Sequence, residues 1–225
     1  KNPFKDPKVR EAVILAVDVD AINKKIMRNA AKPLGTVIAT AVNGFDDSFG
    51  APYKPDPAKA KALLAEAGYP NGFTVTLDCP NDRYVNDEKI CQAVAGMLAR
   101  VGIKTSVQAQ TKSKFYSKVF LPSGNQTSMY LFGWTPSSTD AHNPLLNLVS
   151  CRDSKTAAGQ FNLGGYCNPR VDALTDAIAV ETNETKRNAM IKEAYTIVRQ
   201  DFGYLPLHEQ PMSWGVKDTI RLVQR

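Results

Sequence analysis

Apolar residues recur at helical spacing behind two Asp-Pro pairs, and this device punctuates the first third of the chain. After Asp6-Pro7 they fall at Val9, Ala12, Val13 and Ala16; after Asp56-Pro57 at Ala60, Leu63, Leu64 and Ala67. Aspartate caps a helix and proline suits its first turn, so each pair predicts a helix start. Gly68 predicts the second helix's end. A further helix is expected from Asp20 to about Met27, and Ala30 to Pro55 reads as a long packed excursion without period. From residue 73 the pattern changes. FTVTLD (73–78), IKTSVQAQ (103–110) and SMYLFGW (128–134) read as strands, with helices between them from Asp87 to Arg100, stopped by Gly102, and near 113–120. A β-α-β-α-β run predicts an α/β layer with right-handed crossovers. Two helices follow near 169–181 and 184–202, and the tail YLPLHEQPMSWGVKD reads as two short strands broken by Pro211.

Composition narrows the class. The 225 residues are 43% hydrophobic and 22% charged, values of a folded globular protein. The net charge of +6 is scattered over single Lys and Arg residues beside acids, which argues against nucleic-acid binding. No apolar stretch is long enough to span a membrane, and the opening KNPFKDPKVREAV has no signal-like character. It reads as mid-protein sequence, so a mature or trimmed chain is expected. Cys79, Cys91, Cys151 and Cys167 form two locally separated couples with no CxxC pair. Two disulfides in an oxidising compartment is the preferred reading, with free buried thiols as the alternative. Nothing in the spacing calls for a metal or a cofactor.

Ligands of open α/β sheets bind beyond the carboxyl ends of the strands. Three loops occupy such ends: CPNDRYVND, the turn around Lys112, and TPSSTDAHNP. The first carries Arg83 and Tyr84. The third follows Trp134, an apolar wall, with Thr135, Ser137, Ser138, Asp140, His142 and Asn143 as polar groups; such a mixture suits a small-molecule site. Each has a plainer reading. Arg83 is then a solvated loop residue, Asp140 the cap of a helix starting at Ala141, and His142 and His208 packing residues, while Trp214 belongs to the core or to the same edge. A secreted serine hydrolase built on Ser137 or Ser138 with Asp140 and His142 is the enzyme alternative, but no G-x-S-x-G, P-loop, G-x-G-x-x-G or HExxH motif supports catalysis. A secreted interaction domain would draw on the sequons at Asn125 and Asn183.

Four blocks, in order, resemble one family. PFKDPKVREAVILAVDVDAINKKIM, YKPDPAKAKALLAEAGYPNGFTVTL, MYLFGWTPSSTDAHNP and RNAMIKEAYTIVRQDFGYLPLHEQ are similar to segments of the peptide-class solute-binding proteins of ABC importers. The resemblance implies a type II periplasmic-binding-protein-like lobe, a mixed β-sheet flanked by helices, with residues 1–225 forming one α/β lobe. It would be the C-terminal half of a two-lobed, hinge-closing receptor in the bacterial periplasm, without its N-terminal lobe. Implied partners are that lobe, a membrane permease, and a peptide-like solute or sugar. By the same resemblance Cys151 and Cys167 bracket a disulfide loop, and Arg83 matches an arginine that holds a peptide carboxylate. Peptide receptors of this family keep an aspartate three residues after the tryptophan, where this chain has Ser137. Ser137, Ser138 and Asp140 are then the expected polar contacts beside Trp134, Arg83 and Tyr84, and Ser137 shifts the expectation from peptides toward other solutes.

Overall fold

The computed structural model describes residues 2–120, 127–210, 212 and 214–223. Asn125 and Pro211 lie outside the described residues. Helix α1 (Pro7–Ala16) starts behind Asp6, whose side chain accepts the Lys8 N–H, and α2 (Val19–Lys25) behind Asp18. The excursion that follows contains a two-residue strand β1 (Lys32–Pro33) and a single helical turn α3 (Asp47–Gly50). It is packed, as Leu34, Ile38, Val42 and Phe49 are buried. Helix α4 (Pro57–Glu66) is capped by Asp56, and Gly68, at φ 87°, provides the left-handed turn that ends it.

Strand β2 (Phe73–Pro80) is the centre of a three-stranded parallel sheet of order β3-β2-β4. Helix α5 (Asp87–Ala99) leads to β3 (Ile103–Gln110), and α6 (Lys112–Val119) leads across to β4 (Met129–Tyr130). In β2 the alternation of FTVTLDCP sorts its two faces. Val75, Leu77 and Cys79 join Ile90, Cys91, Val94 and Leu98 of α5 in one core. Asp78 points the other way, fully buried, and takes the Lys118 ammonium of α6 at 2.6 Å and the Gln110 amide at 3.0 Å. That ion pair fastens α6 to the sheet.

The expected third strand, 128–134, is shorter than the sequence implies. Only Met129 and Tyr130 pair with Leu77 and Asp78, and the Leu131 N–H adds one more bond to the Asp78 carbonyl. Beyond it the chain leaves the ladder but keeps its two-residue alternation. Met129 and Leu131 pack on the first core, whereas Phe132 and Trp134 pack on a second. This second core is built from α3, the turn α7 (His142–Pro144) with the π-turn Leu145–Val149, α8 (Pro169–Val180) and α9 (Glu184–Gln200). Among its described residues the tail contributes one strand, β5 (His208–Glu209), antiparallel to β1. Strands of both senses are therefore present, in two separate sheets. Asn183 accepts the Lys186 N–H, which gives that asparagine a capping reason to be there. Both cysteine couples are disulfides, Cys79–Cys91 and Cys151–Cys167.

Candidate functional site

The parallel strands β2 and β4 end side by side, so the loops that follow them share one edge of the sheet. Loop 81–86 is tightly held. At its base the Cys79–Cys91 bridge joins the strand to α5. Asp87, buried at the start of α5, accepts the N–H groups of Arg83 and Tyr84, both at 3.0 Å, and that of Glu88 at 2.9 Å. Three backbone donors are satisfied by one carboxylate, which fixes where the Arg83 and Tyr84 side chains leave the chain. The Arg83 guanidinium is exposed, with Nε donating to the Tyr116 hydroxyl at 3.2 Å and its carbon 5.0 Å from the Tyr84 ring centre. Its terminal nitrogens have no partner among the described residues. A planar fork whose Nη1–Nη2 edge is free can take a carboxylate in bidentate fashion.

Tyr84 couples this loop to the next one. Its hydroxyl accepts the Gly133 N–H at 2.9 Å. The ring lies so close to Gly133 that a Cβ there would stand 2.7 Å from Tyr84 Cε1. The glycine of the Gly-Trp pair is thus a contact requirement. Burial, the largest influence, pushes the Tyr84 phenol up to about 12, so it remains protonated. From here an aromatic wall runs through Tyr116, Phe120, Phe132 and Trp134 to Phe161, with centroid separations of 5.8, 6.0, 6.3 and 4.8 Å.

In the segment after Trp134, the indole N–H donates to Asn143 Oδ1 at 3.0 Å, and Asn143 Nδ2 donates to Ser137 Oγ at 3.0 Å. Ser138 is exposed. Asp140 differs from expectation. Arg187 of α9 grips both its carboxylate oxygens, at 3.0 and 2.8 Å, and the His142 N–H takes Oδ1 at 2.9 Å. Its carboxylate braces the turn from within, with both oxygens paired inside the fold, and the plainer capping role comes closer to what is observed. The helix it was expected to cap is only one α-turn followed by the π-turn. Burial raises the Asp140 pKa, but Arg187 and the His142 N–H outweigh it and hold the carboxyl below its ordinary range. A folded-state value below the unfolded one, about 3.9, means stability that is complete above that value and is lost as pH falls through the folded pKa. Asp140→Asn is expected to cost about 1–2 kcal/mol at neutral pH, discounted for partial exposure, and to flatten the stability–pH curve below about pH 4. Urea unfolding at pH 3 and pH 7 checks both; equal losses at the two pH values would disprove the coupling.

The structure brings Arg83, Tyr84 and Trp134 onto one wall, with Ser137 at its end. It does not assemble the hydrolase alternative. Ser137 Oγ is held by the Asn143 amide, Asp140 faces Arg187, and the His142 imidazole turns to the Thr175 backbone while its main-chain N–H goes to Asp140. Burial, opposed by Asp140, lowers the His142 pKa. His208 sits in β5 opposite Pro33, and Trp214 is half exposed and outside both cores. Sequence reasoning passed over Tyr116, Asp87 and Arg187. Asp87 stood at an expected helix start, where an acid carries a capping signal; Tyr116 and Arg187 carry none, because their partners lie 33 and 47 residues away.

Comparison with known proteins fits this architecture. The glutathione-binding protein GsiB of Pectobacterium atrosepticum is 33% identical over 200 residues, which cover 86% of this chain and 37% of that protein. The chain thus spans well under half the length of that curated relative. The periplasmic binding protein DppA from Helicobacter pylori, solved with the peptide STSA, superposes with a TM-score of 0.81 at 26% identity, over 92% of this chain and 39% of that one. MoaA from A. tumefaciens R10, solved with mannopinic acid, gives 0.80 at 27% identity, over 93% and 41%. The family model described as "Bacterial extracellular solute-binding proteins, family 5 Middle" matches residues 1–156, more than half of the sequence, and the chain belongs to that family.

Proposed function

We propose that this chain is the C-terminal lobe of the extracytoplasmic receptor of an ABC importer. It supplies one wall of a cleft that closes on a small solute, and the other lobe supplies the second. The observation that carries this reading is the union of two strand-end loops by Tyr84 and Gly133, which sets the free guanidinium of Arg83 at one end of the aromatic wall that carries Trp134. In this reading Arg83 pairs with a solute carboxylate, Tyr84 and Trp134 line the apolar wall, Ser137 and Ser138 offer hydroxyls, and Asp140 stands behind them as a brace. Glutathione, a peptide and an opine acid, the solutes named for the relatives, all carry a carboxylate. Delivery to a membrane permease in the bacterial periplasm follows from the same reading. Hinge closure would desolvate the Arg83 contact and strengthen it.

The test is a panel of glutathione, di- and tripeptides and opine acids, titrated against a protein carrying both lobes while tryptophan emission is followed. A saturable change with at least one carboxylate solute is expected, because Trp134 lies on the wall while half-exposed Trp214 is outside both cores. A panel without any emission change or thermal shift would sink the receptor reading.

A further inference from the structure

One hydrogen-bond chain at the rim decides what kind of solute atom Ser137 can meet. The Trp134 indole offers only a donor, so the Asn143 atom facing it at 3.0 Å is the amide oxygen. That choice turns the Asn143 NH2 toward Ser137, whose Oγ accepts it at 3.0 Å. One acceptor position of the hydroxyl is thereby filled from within, while its hydrogen has no acceptor among the described residues and is left to point at a solute. Asp140 is the single acid between Trp134 and Asn143, and Arg187 and the His142 N–H hold both of its oxygens. This corner therefore presents a hydrogen-bond donor and no unpaired carboxylate.

We infer that Asn143 is a specificity-determining residue: it fixes Ser137 as a donor, so the corner takes an acceptor oxygen of the solute, a carboxylate or a carbonyl, and not an ammonium group. The inference rests on the receptor reading above and adds the solute class. A solute suited to this lobe is rich in acceptor oxygens, with one anionic group for Arg83 and another oxygen for Ser137. An ammonium placed at Ser137 would lose hydration for one neutral dipole already facing the Asn143 amide, a poor exchange.

Asn143→Asp tests this with nearly the same shape. The introduced carboxylate still accepts the Trp134 N–H, but its second oxygen accepts the Ser137 hydrogen and reverses the corner's polarity. The probes are Ala-Ala-Ala and N-acetyl-Ala-Ala-Ala, which replaces the ammonium by a carbonyl, titrated against a protein carrying both lobes. The unaltered protein is expected to bind the acetylated probe at least as tightly as the free one. Asn143→Asp is expected to move the ratio about tenfold toward the free amine, and Ser137→Ala to weaken the acetylated probe severalfold with less effect on the free one. A tenfold preference of the unaltered protein for the free amine overturns the inference. So does an unmoved ratio in Asn143→Asp, or, if that variant does not fold, in Ser137→Ala. Binding that persists with an unmoved ratio defeats this inference alone, as does a protein that binds another solute of the panel but neither tripeptide; no binding of any solute of the panel defeats the receptor reading with it.

Discussion

In the proposed receptor, Arg83→Ala is expected to weaken binding of a carboxylate solute by about 30- to 160-fold, roughly 2–3 kcal/mol, the range of a hydrogen-bonded charge pair. The side chain is exposed here, where a lone ion pair would be worth about 1 kcal/mol at most. A larger effect requires the second lobe to exclude water on closure. The size of the loss is therefore a measure of closure as well as of contact. The melting temperature without solute should stay within about a degree, since the exposed Arg83 side chain gives the scaffold only one hydrogen bond to Tyr116 and a contact with the Tyr84 ring. Arg83→Lys should recover only part of the affinity, because an ammonium cannot pair two oxygens in one plane. Isothermal titration at two salt concentrations checks these points. A dissociation constant within twofold of the unaltered protein's would remove Arg83 from the site.

Much of the scaffold was legible because its signals are local. Asp6-Pro7 and Asp56-Pro57 each place a capping side chain and a proline in adjacent positions, and both helices start there. The span of β3 matches its pattern, 103–110, because the strand alternates along its whole length and Gly102, at φ 98°, sets its start. What was misjudged depends on distant partners. Strand 128–134 reads as one apolar run, yet its side chains serve two cores, and only the first residues find a ladder partner in β2. Asp140 reads as a cap or a solute contact, and its two-pronged partner goes unseen because Arg187 lies 47 residues further on. Asp78 reads as one polar residue in a strand and is in fact the buried anchor of α6, the helix that holds Tyr116 against Arg83. The candidate site was found from the ends of strands; the residues that aim it were not, because tertiary contacts alone select them.

The Cys151–Cys167 bridge is expected to contribute about 3 kcal/mol, since its cysteines are separated by 16 residues. Its replacement by two serines should lower the melting temperature by roughly 6–12 °C for a protein of this size. The consequence for the site is more specific. The bridged loop carries Phe161, whose ring lies 4.8 Å from that of Trp134, and Asn162, whose amide holds the Val149, Ser150 and Tyr166 carbonyls. Cys151 is tied in turn to α8, through its N–H to Asp172. Loss of the bridge loosens the loop, and with it the support behind the indole. Trp134 emission should then shift to longer wavelength at temperatures well below unfolding, and solute affinity should fall with it. Cys79–Cys91 makes a useful contrast, since it secures loop 81–86 on the other side of the rim. Its removal should weaken solute binding through Arg83 while moving Trp134 emission less than loss of Cys151–Cys167 does, because it reaches the indole only through Tyr84 and Gly133. Circular dichroism melts and emission spectra of the two double-serine variants separate these outcomes. If the Cys151–Cys167 variant melted lower with unaltered emission and affinity, the bridge would act on overall stability alone, and Phe161 would have no part in holding the aromatic wall.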